Sequence, residues 1–176
     1  MKYVYEDIQL RAIEESDLDM LREMINDPEI ESMTGGFSFP VSEYQQKKWF
    51  ESLSANEKEF RAVIDTQEHG SIGVVMLTDI SWINRTAQLH IKIATSKQIR
   101  GRGYGTKAIK ALVKYAFAQM NLNIVYSHIL ENNVASRKAH QKSGFKEEAI
   151  LRDRVFKNES YHNLIVCSIR KDEIVE

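Results

Sequence analysis

Behind a short stretch crowded with glycine, the apolar residues Ala108, Ile109, Leu112, Val113, Ala116, Phe117 and Met120 recur at spacings of three and four. That period gathers them on one side of an α-helix and leaves Lys107, Lys110 and Lys114 on its wet side. A stripe this broad has to be covered by another layer of structure. With 176 residues and 43% hydrophobic content the chain can bury one such core, and no stretch is long and apolar enough to cross a bilayer. One domain over residues 1–176 is therefore expected.

The other periodicities indicate what covers the helix. "DIQLRAI" alternates Ile8 and Leu10 with polar residues as a strand does. Ser16 then caps a helix bearing Leu18, Leu21, Met24 and Ile25, which Asp27-Pro28 stops. "PEIESMTGGFSFP" reads as irregular, after which Ser42 and Gln45 form a capping box for a helix carrying Trp49, Phe50 and Leu53. "FRAVID" and "SIGVVMLTDI" make a hairpin around His69-Gly70, and "TAQLHIKIAT" adds a strand. Beyond the long helix come a buried strand, "NIVYSHIL", a short helix, "NVASRKAHQKS", closed by Gly144, and two strands joined at Lys157-Asn158-Glu159. The order β-α-α-β-β-β-α-β-α-β-β predicts an α+β fold: a mixed, mostly antiparallel sheet of about seven strands covered by about four helices.

The opening "MKYVYEDIQLRAIEESDL" has no apolar signal core. The single cysteine, Cys167, lies in the apolar run "NLIVCSI", where it reads as a buried thiol. A cytoplasmic protein is expected. The net charge of −1 conceals an imbalance: residues 1–59 hold 6 Lys+Arg against 14 Asp+Glu, and the remainder holds 18 against 11. Such asymmetry fits either two kinds of ligand or a plain solvated surface.

The glycine stretch, Arg100-Gly101-Arg102-Gly103-Tyr104-Gly105, stands at the mouth of the long helix. Unpaired N–H groups and the positive end of the helix dipole make that position a pyrophosphate site once glycine lets an anion approach the backbone. A Walker P-loop needs a different spacing and order of Gly, Lys and Thr. A dinucleotide fingerprint belongs early in a βαβ unit, whereas this turn follows a run of antiparallel strands. A plain turn has no need of three glycines flanked by two arginines.

The stretch from Arg100 to Gly105, followed by Thr106, resembles the acetyl-coenzyme-A motif of the GNAT superfamily of N-acetyltransferases. "NVASRKAHQKSGF", Asn133 to Phe145, resembles that family's second signature. Within the superfamily, "IQLRAIEESDL" and "ILRDRVFKNESYHNLIVCSI" are most similar to the branch of the ribosomal-protein alanine and spermidine N-acetyltransferases. The resemblance implies a sheet splayed between its fourth and fifth strands at a bulge. It implies acetyl-CoA with its pyrophosphate on backbone N–H groups of Arg100, Gly101, Arg102, Gly103, Tyr104, Gly105 and Thr106. The pantetheine arm would pair with the edge of "HIKI" at Ile91 and Ile93, and Asn133 and Ser136 would lie beside it. A helix cap and a packing residue are the plainer readings of those last two.

Acetyl transfer to an amine needs a base for the ammonium and a proton for the leaving thiolate. The family often has Tyr as general acid seven residues after the signature Asn; His140 stands there, and catalytic and packing roles both stay open. Gln88 replaces a Glu found in related members, and His90, on the same strand face, is the nearest titratable substitute, with a half-buried structural histidine as its alternative. No Cys/His/carboxylate spacing suggests a metal. The expected function is acetyl transfer from acetyl-CoA to a primary amine in a ternary complex, the alternative a non-catalytic coenzyme-A-binding regulatory module. In the resembled family the segment Asp27 to Leu53 walls the acceptor site; its carboxylates Asp27, Glu29, Glu31, Glu43 and Glu51 rank a polyamine ahead of a peptide N-terminus. Neither membrane nor nucleic acid is an expected partner, and a homodimer is left open.

Overall fold

The computed structural model describes residues 2–36, 39–53 and 58–174. Strands β1 (Lys2–Tyr5) and β2 (Ile8–Arg11) lead through a 3₁₀ turn at Glu15–Asp17 into helices α1 (Leu18–Asn26), α2 (Pro28–Ser32) and α3 (Glu43–Ser52). Strands β3 (Phe60–Thr66), β4 (Gly70–Ser81) and β5 (Thr86–Ile93) follow, then α4 (Tyr104–Ala118), β6 (Ile124–Leu130), α5 (Val134–Lys142), β7 (Lys146–Lys157) and β8 (Ser160–Arg170). The eight strands of the described residues belong to one sheet in the order β1-β2-β3-β4-β5-β6-β8-β7, and every pairing is antiparallel except β5 with β6.

The α+β architecture predicted from periodicity is present, with one strand and one helix more than the count of seven and four. The added strand is β1. Tyr3 and Tyr5 turn inward and Tyr3 meets Tyr115 of α4 edge-on at 5.7 Å, but Val4 between them is 67% exposed. Three apolar or aromatic neighbours in succession hid the alternation. The added helix is α2, inside the stretch read as irregular, of which Phe37 and Ser38 lie outside the described residues. Pro28 does end α1, but it also occupies the first turn of α2, where its missing N–H costs nothing, and Asp27 caps that helix by accepting from Glu29 N at 2.7 Å. The cap assigned to Ser16 belongs instead to Glu14 and Asp17, which form a capping box around the 3₁₀ turn. Asp17 is buried and accepts both prongs of the Arg11 guanidinium at 2.8 Å, tying the start of α1 to β2. The Ser42–Gln45 box on α3 forms as read.

The long helix α4 lies on one face of the sheet and buries Ala108, Ile109, Ala111, Leu112, Val113, Ala116 and Phe117 against Ile8, Leu10, Ala62, Ile64, Val75, Leu77 and Leu89. Helix α1 covers the other face, with Leu21 and Met24 buried on its inner side and in contact with β4. No helix among the described residues is long and apolar enough to cross a membrane.

At one place the two middle strands touch backbone to backbone. A Cβ on Gly73 would stand 2.3 Å from the Lys92 carbonyl oxygen and 3.0 Å from Ile93 Cα. Gly73→Ala is therefore expected to lower stability by about 1–3 kcal/mol, as overpacking does, and to disturb the end of β5. Urea unfolding of the two proteins checks this: equal midpoints would mean that the strands separate freely at this point.

Candidate active site

The parallel ladder between β5 and β6 lasts three pairs, Thr86–Ile124, Ala87–Val125 and Gln88–Tyr126. Past Gln88 the strands part, and a cavity of about 600 Å³ fills the opening. The parting differs in one respect from the bulge expected on sequence grounds. The register shift lies between β4 and β5, at Thr78–Ser81, while the β5–β6 ladder simply stops. Stopping a ladder leaves a carbonyl without its partner strand. The Ser127 hydroxyl, on the first β6 residue beyond the ladder, donates to Leu89 O at 2.8 Å and meets that need.

Gln88, His90, Ile91, Ile93, Arg100, Gly105, Asn133, Ser136 and His140 all line this cavity. Gly101, Arg102, Gly103, Tyr104 and Thr106 do not; they form the turn leading from it into α4. Gly101 and Gly103 sit at φ of 77° and 80°, backbone that L side chains rarely adopt, and a Cβ on either would meet no protein atom within 4 Å. Gly103 is the N-cap residue of α4 and supplies no side-chain cap, so the helix opens with N–H groups at Tyr104, Gly105 and Thr106 that have no acceptor in the preceding turn. The Tyr104 ring itself is buried in the core, edge-on to His69 at 6.0 Å. Such a turn has the shape and polarity to hold a pyrophosphate. Its two arginines are paired with carboxylates: Arg100 with Glu29, and Arg102 with Glu68 at 3.0 Å.

On α5, Asn133 accepts from Ser136 N at 3.0 Å as the helix cap and donates its amide to Met33 O at 2.9 Å, so both of its functions are engaged by the protein. His140 is 3% exposed. Its Nδ1 lies 2.9 Å from Ser136 O and its Nε2 3.0 Å from Ser127 Oγ, and its ring meets Phe145 edge-on at 5.0 Å. Burial pushes this imidazole below its ordinary value of 6.5, partly offset by the Ser136 carbonyl. Across the opening, His90 Nε2 lies 2.8 Å from Thr78 Oγ1 on β4, and burial pushes His90 down as well. The same strand face carries Lys92, lowered by burial first and then by the charges of Arg61 and Lys157.

Two residues escaped the sequence reading. Ser127 is a small buried hydroxyl between Tyr126 and His128, and that polar interruption of "IVYSHIL" was its only signal. Lys92 lines the cavity beside His90, and nothing in the alternation of its strand marks it out. The acidic segment also needs correction. Of its five carboxylates only Glu29 lines the cavity, and it is paired with Arg100. Asp27 caps α2 and accepts from Thr95 Oγ1 at 3.0 Å, Glu31 is paired with the buried Lys157, and Glu43 and Glu51 point to solvent on α3. Among the described residues, no group of three His, Cys, Asp or Glu is placed to hold a metal ion.

Residues 7–146 match the model of the acetyltransferase (GNAT) domain. The chain is 28% identical over 158 residues to a spermidine N(1)-acetyltransferase of Vibrio cholerae, covering 89% of each chain. It is 34% identical over 101 residues to a putative ribosomal N-acetyltransferase of Bacillus subtilis, covering 57% of this chain and 54% of that one. Its fold superposes on the crystal structure of the Vibrio cholerae spermidine N-acetyltransferase in complex with CoA and spermine with a TM-score of 0.88, at 26% identity and over 95% and 97% of the two chains.

Two imidazoles lowered by burial make stability depend on pH in a definite direction. Near pH 6.5 the unfolded chain takes up protons at His90 and His140 that the folded chain does not, so stability is at its full value above that pH and falls as the pH drops below it. The slope has an upper limit of about 1.4 kcal/mol per pH unit for each histidine. A urea midpoint lower at pH 5.5 than at 7.5 is expected, with the difference reduced in His90→Gln/His140→Gln. An unchanged difference in that variant would assign the slope to other groups.

Proposed function

We propose, for a chain that belongs to the GNAT acetyltransferase family, that its acceptor is a polyamine and that His90 and His140 divide the proton transfers between them. As a member of that family it is an N-acetyltransferase that takes its acetyl group from acetyl-CoA. The observation that carries the polyamine reading is the likeness over nearly the whole of both chains to an enzyme described in complex with CoA and spermine. The count of acidic residues does not carry it, because the segment's only carboxylate at the cavity is already neutralised by Arg100.

Acetyl-CoA is read as lying along the free edge of β5 past Gln88, at Ile91 and Ile93, with its pyrophosphate on the glycine turn. Supporting this are the ended ladder, the uncapped start of α4 and the open space where a Cβ on Gly101 or Gly103 would stand. A primary ammonium gives up one proton before it attacks and a second afterwards. The first is assigned to His90: it lines the cavity, and its lowered pKa keeps it neutral near pH 7, ready to accept. The second moves from the acceptor nitrogen to the departing sulfur, with His140 read as its carrier, and the first leaves His90 for solvent, which restores the neutral base.

One observation favours a second acceptor. Among the described residues, Lys92 and Arg100 outnumber Glu29 in the lysines, arginines and carboxylates of the cavity wall, and Lys92 sits on the face with His90. A peptide N-terminus, whose amine is uncharged more readily than a polyamine's, meets less repulsion from that lysine.

Two measurements test these readings. Thiol release from acetyl-CoA is expected with spermidine and spermine at low salt; turnover of an Ala- or Ser-initiated peptide with none on polyamines would replace the first acceptor by the second. Gly103→Ala is expected to weaken acetyl-CoA binding at least about tenfold, because the added methyl occupies the space through which an anion reaches the backbone. Calorimetry on the folded variant checks it, and unchanged affinity would move the pyrophosphate away from this turn.

A further inference from the structure

We infer that Ser127 is the relay through which His140 exchanges its proton with the cleft; the inference rests on the reading of His140 as the carrier of the second proton. Two atoms of Ser136 face Nδ1: the carbonyl at 2.9 Å, which can only accept, and the hydroxyl at 3.4 Å, which can do either; the shorter contact needs a hydrogen on Nδ1. In the neutral ring the Nε2 lone pair then points at Ser127 Oγ, 3.0 Å away. The Ser127 hydrogen has two acceptors within reach, Nε2 and Leu89 O at 2.8 Å. With the ring neutral they compete for that hydrogen. With the ring protonated, Nε2–H donates to Oγ, the hydroxyl donates to Leu89 O, Nδ1–H donates to Ser136 O, and every group is satisfied. The imidazole thus gains and loses a proton with no heavy atom moving, in surroundings where burial alone disfavours the charge.

Ser127 borders the cavity at the apex of the opening, although the residue is only 1% exposed. The steps balance. After attack, the acceptor nitrogen releases a proton to Ser127 Oγ as the Ser127 hydrogen passes to Nε2. When the carbon–sulfur bond breaks and its electron pair goes to sulfur, the same path reversed puts a proton on the thiolate and returns the ring to neutrality. The groups lining the space behind the ring offer no simpler route. The Cys167 thiol is pushed up to about 12 by burial, Arg137 and Glu147 are committed to each other at 2.8 Å, and Lys146 is committed to Glu173 at 2.6 Å.

The test is a set of rate measurements at saturating acetyl-CoA on the wild type, Ser127→Ala, Ser127→Thr, His140→Gln and the Ser127→Ala/His140→Gln double variant, each with its acetyl-CoA affinity and circular dichroism. Ser127→Ala is expected to lower kcat at least about tenfold with acetyl-CoA affinity unchanged, and Ser127→Thr, which keeps the hydroxyl, to recover to within about threefold. The double variant should lose no more than His140→Gln alone, since the two residues act as one unit. Should Ser127→Ala fail to fold, Ser127→Cys takes its place, keeping the size of the side chain with a much weaker hydrogen bond. Wild-type kcat in His140→Gln would remove both the carrier and its relay. A large loss in His140→Gln with normal kcat in Ser127→Ala, or additive losses in the double variant, would overturn the relay alone.

Discussion

Three residue pairs of a parallel ladder hold the two parts of the sheet to each other, β1 to β5 on one side and β6, β8 and β7 on the other. A longer ladder would join them more firmly and leave no room for a substrate. A shorter one would leave α4 as the main bridge. The compromise is reinforced at both ends. Below the ladder, Asn123 N and Ile124 N both donate to Arg85 O, at 2.6 and 3.2 Å. Above it, Ser127 supplies from a side chain the hydrogen bond that the strands no longer provide. One hydroxyl thus closes the ladder and faces the cleft, and the chemistry sits where the backbone hydrogen bonds run out.

The opening stays open because each wall has its own support. Helix α4 braces β5 from one face through Ile109 and Leu112, and α5 packs on α4. Helix α2 is held at both ends: the Asp27 carboxylate reaches Thr95 just past β5, the buried Lys157 ammonium of β7 holds the Glu31 carbonyl at 2.8 Å together with the Glu31 carboxylate, and the Asn133 amide donates to Met33 O at 2.9 Å. These ties join segments far apart in the chain, so the cavity wall is built by tertiary contacts and not by any local motif.

That division explains what could be read in the sequence. Helix α4, the Ser42–Gln45 box, the turn at Gly70 and the closing glycine of α5 depend on neighbours within a few positions, and they stand where periodicity and capping chemistry put them. Arg100, Asn133 and His140 came from the two signatures, Ile91 and Ile93 from the strand edge that the resemblance implied, and His90 from its place on the face of Gln88; all six line one cavity. Strand β1 was hidden because an edge strand is free to expose a valine, and α2 because one proline both stops a helix and starts another. Ser127 could not have been found by spacing. Its meaning depends on Leu89 and His140, which lie 38 and 13 residues away in the chain.

Charge is the property for which counting failed. Residues 1–59 carry eight more acidic than basic side chains, yet folding spends the relevant ones on structure before any ligand arrives. A carboxylate that caps a helix or pairs with a buried lysine contributes little field at a distance, because its partner's charge cancels it within a few ångströms. Among the described residues the cavity wall ends with one carboxylate, Glu29, facing Arg100 of the same glycine turn that is read as the pyrophosphate site. An anion seated there competes with Glu29 for Arg100, and the half-exposed pair gives way at little cost, since such pairs are worth about 1 kcal/mol or less. The electrostatic character of the acceptor side is therefore set by which groups donor binding leaves unpaired, a quantity that belongs to the assembled site and that no sum over the sequence contains.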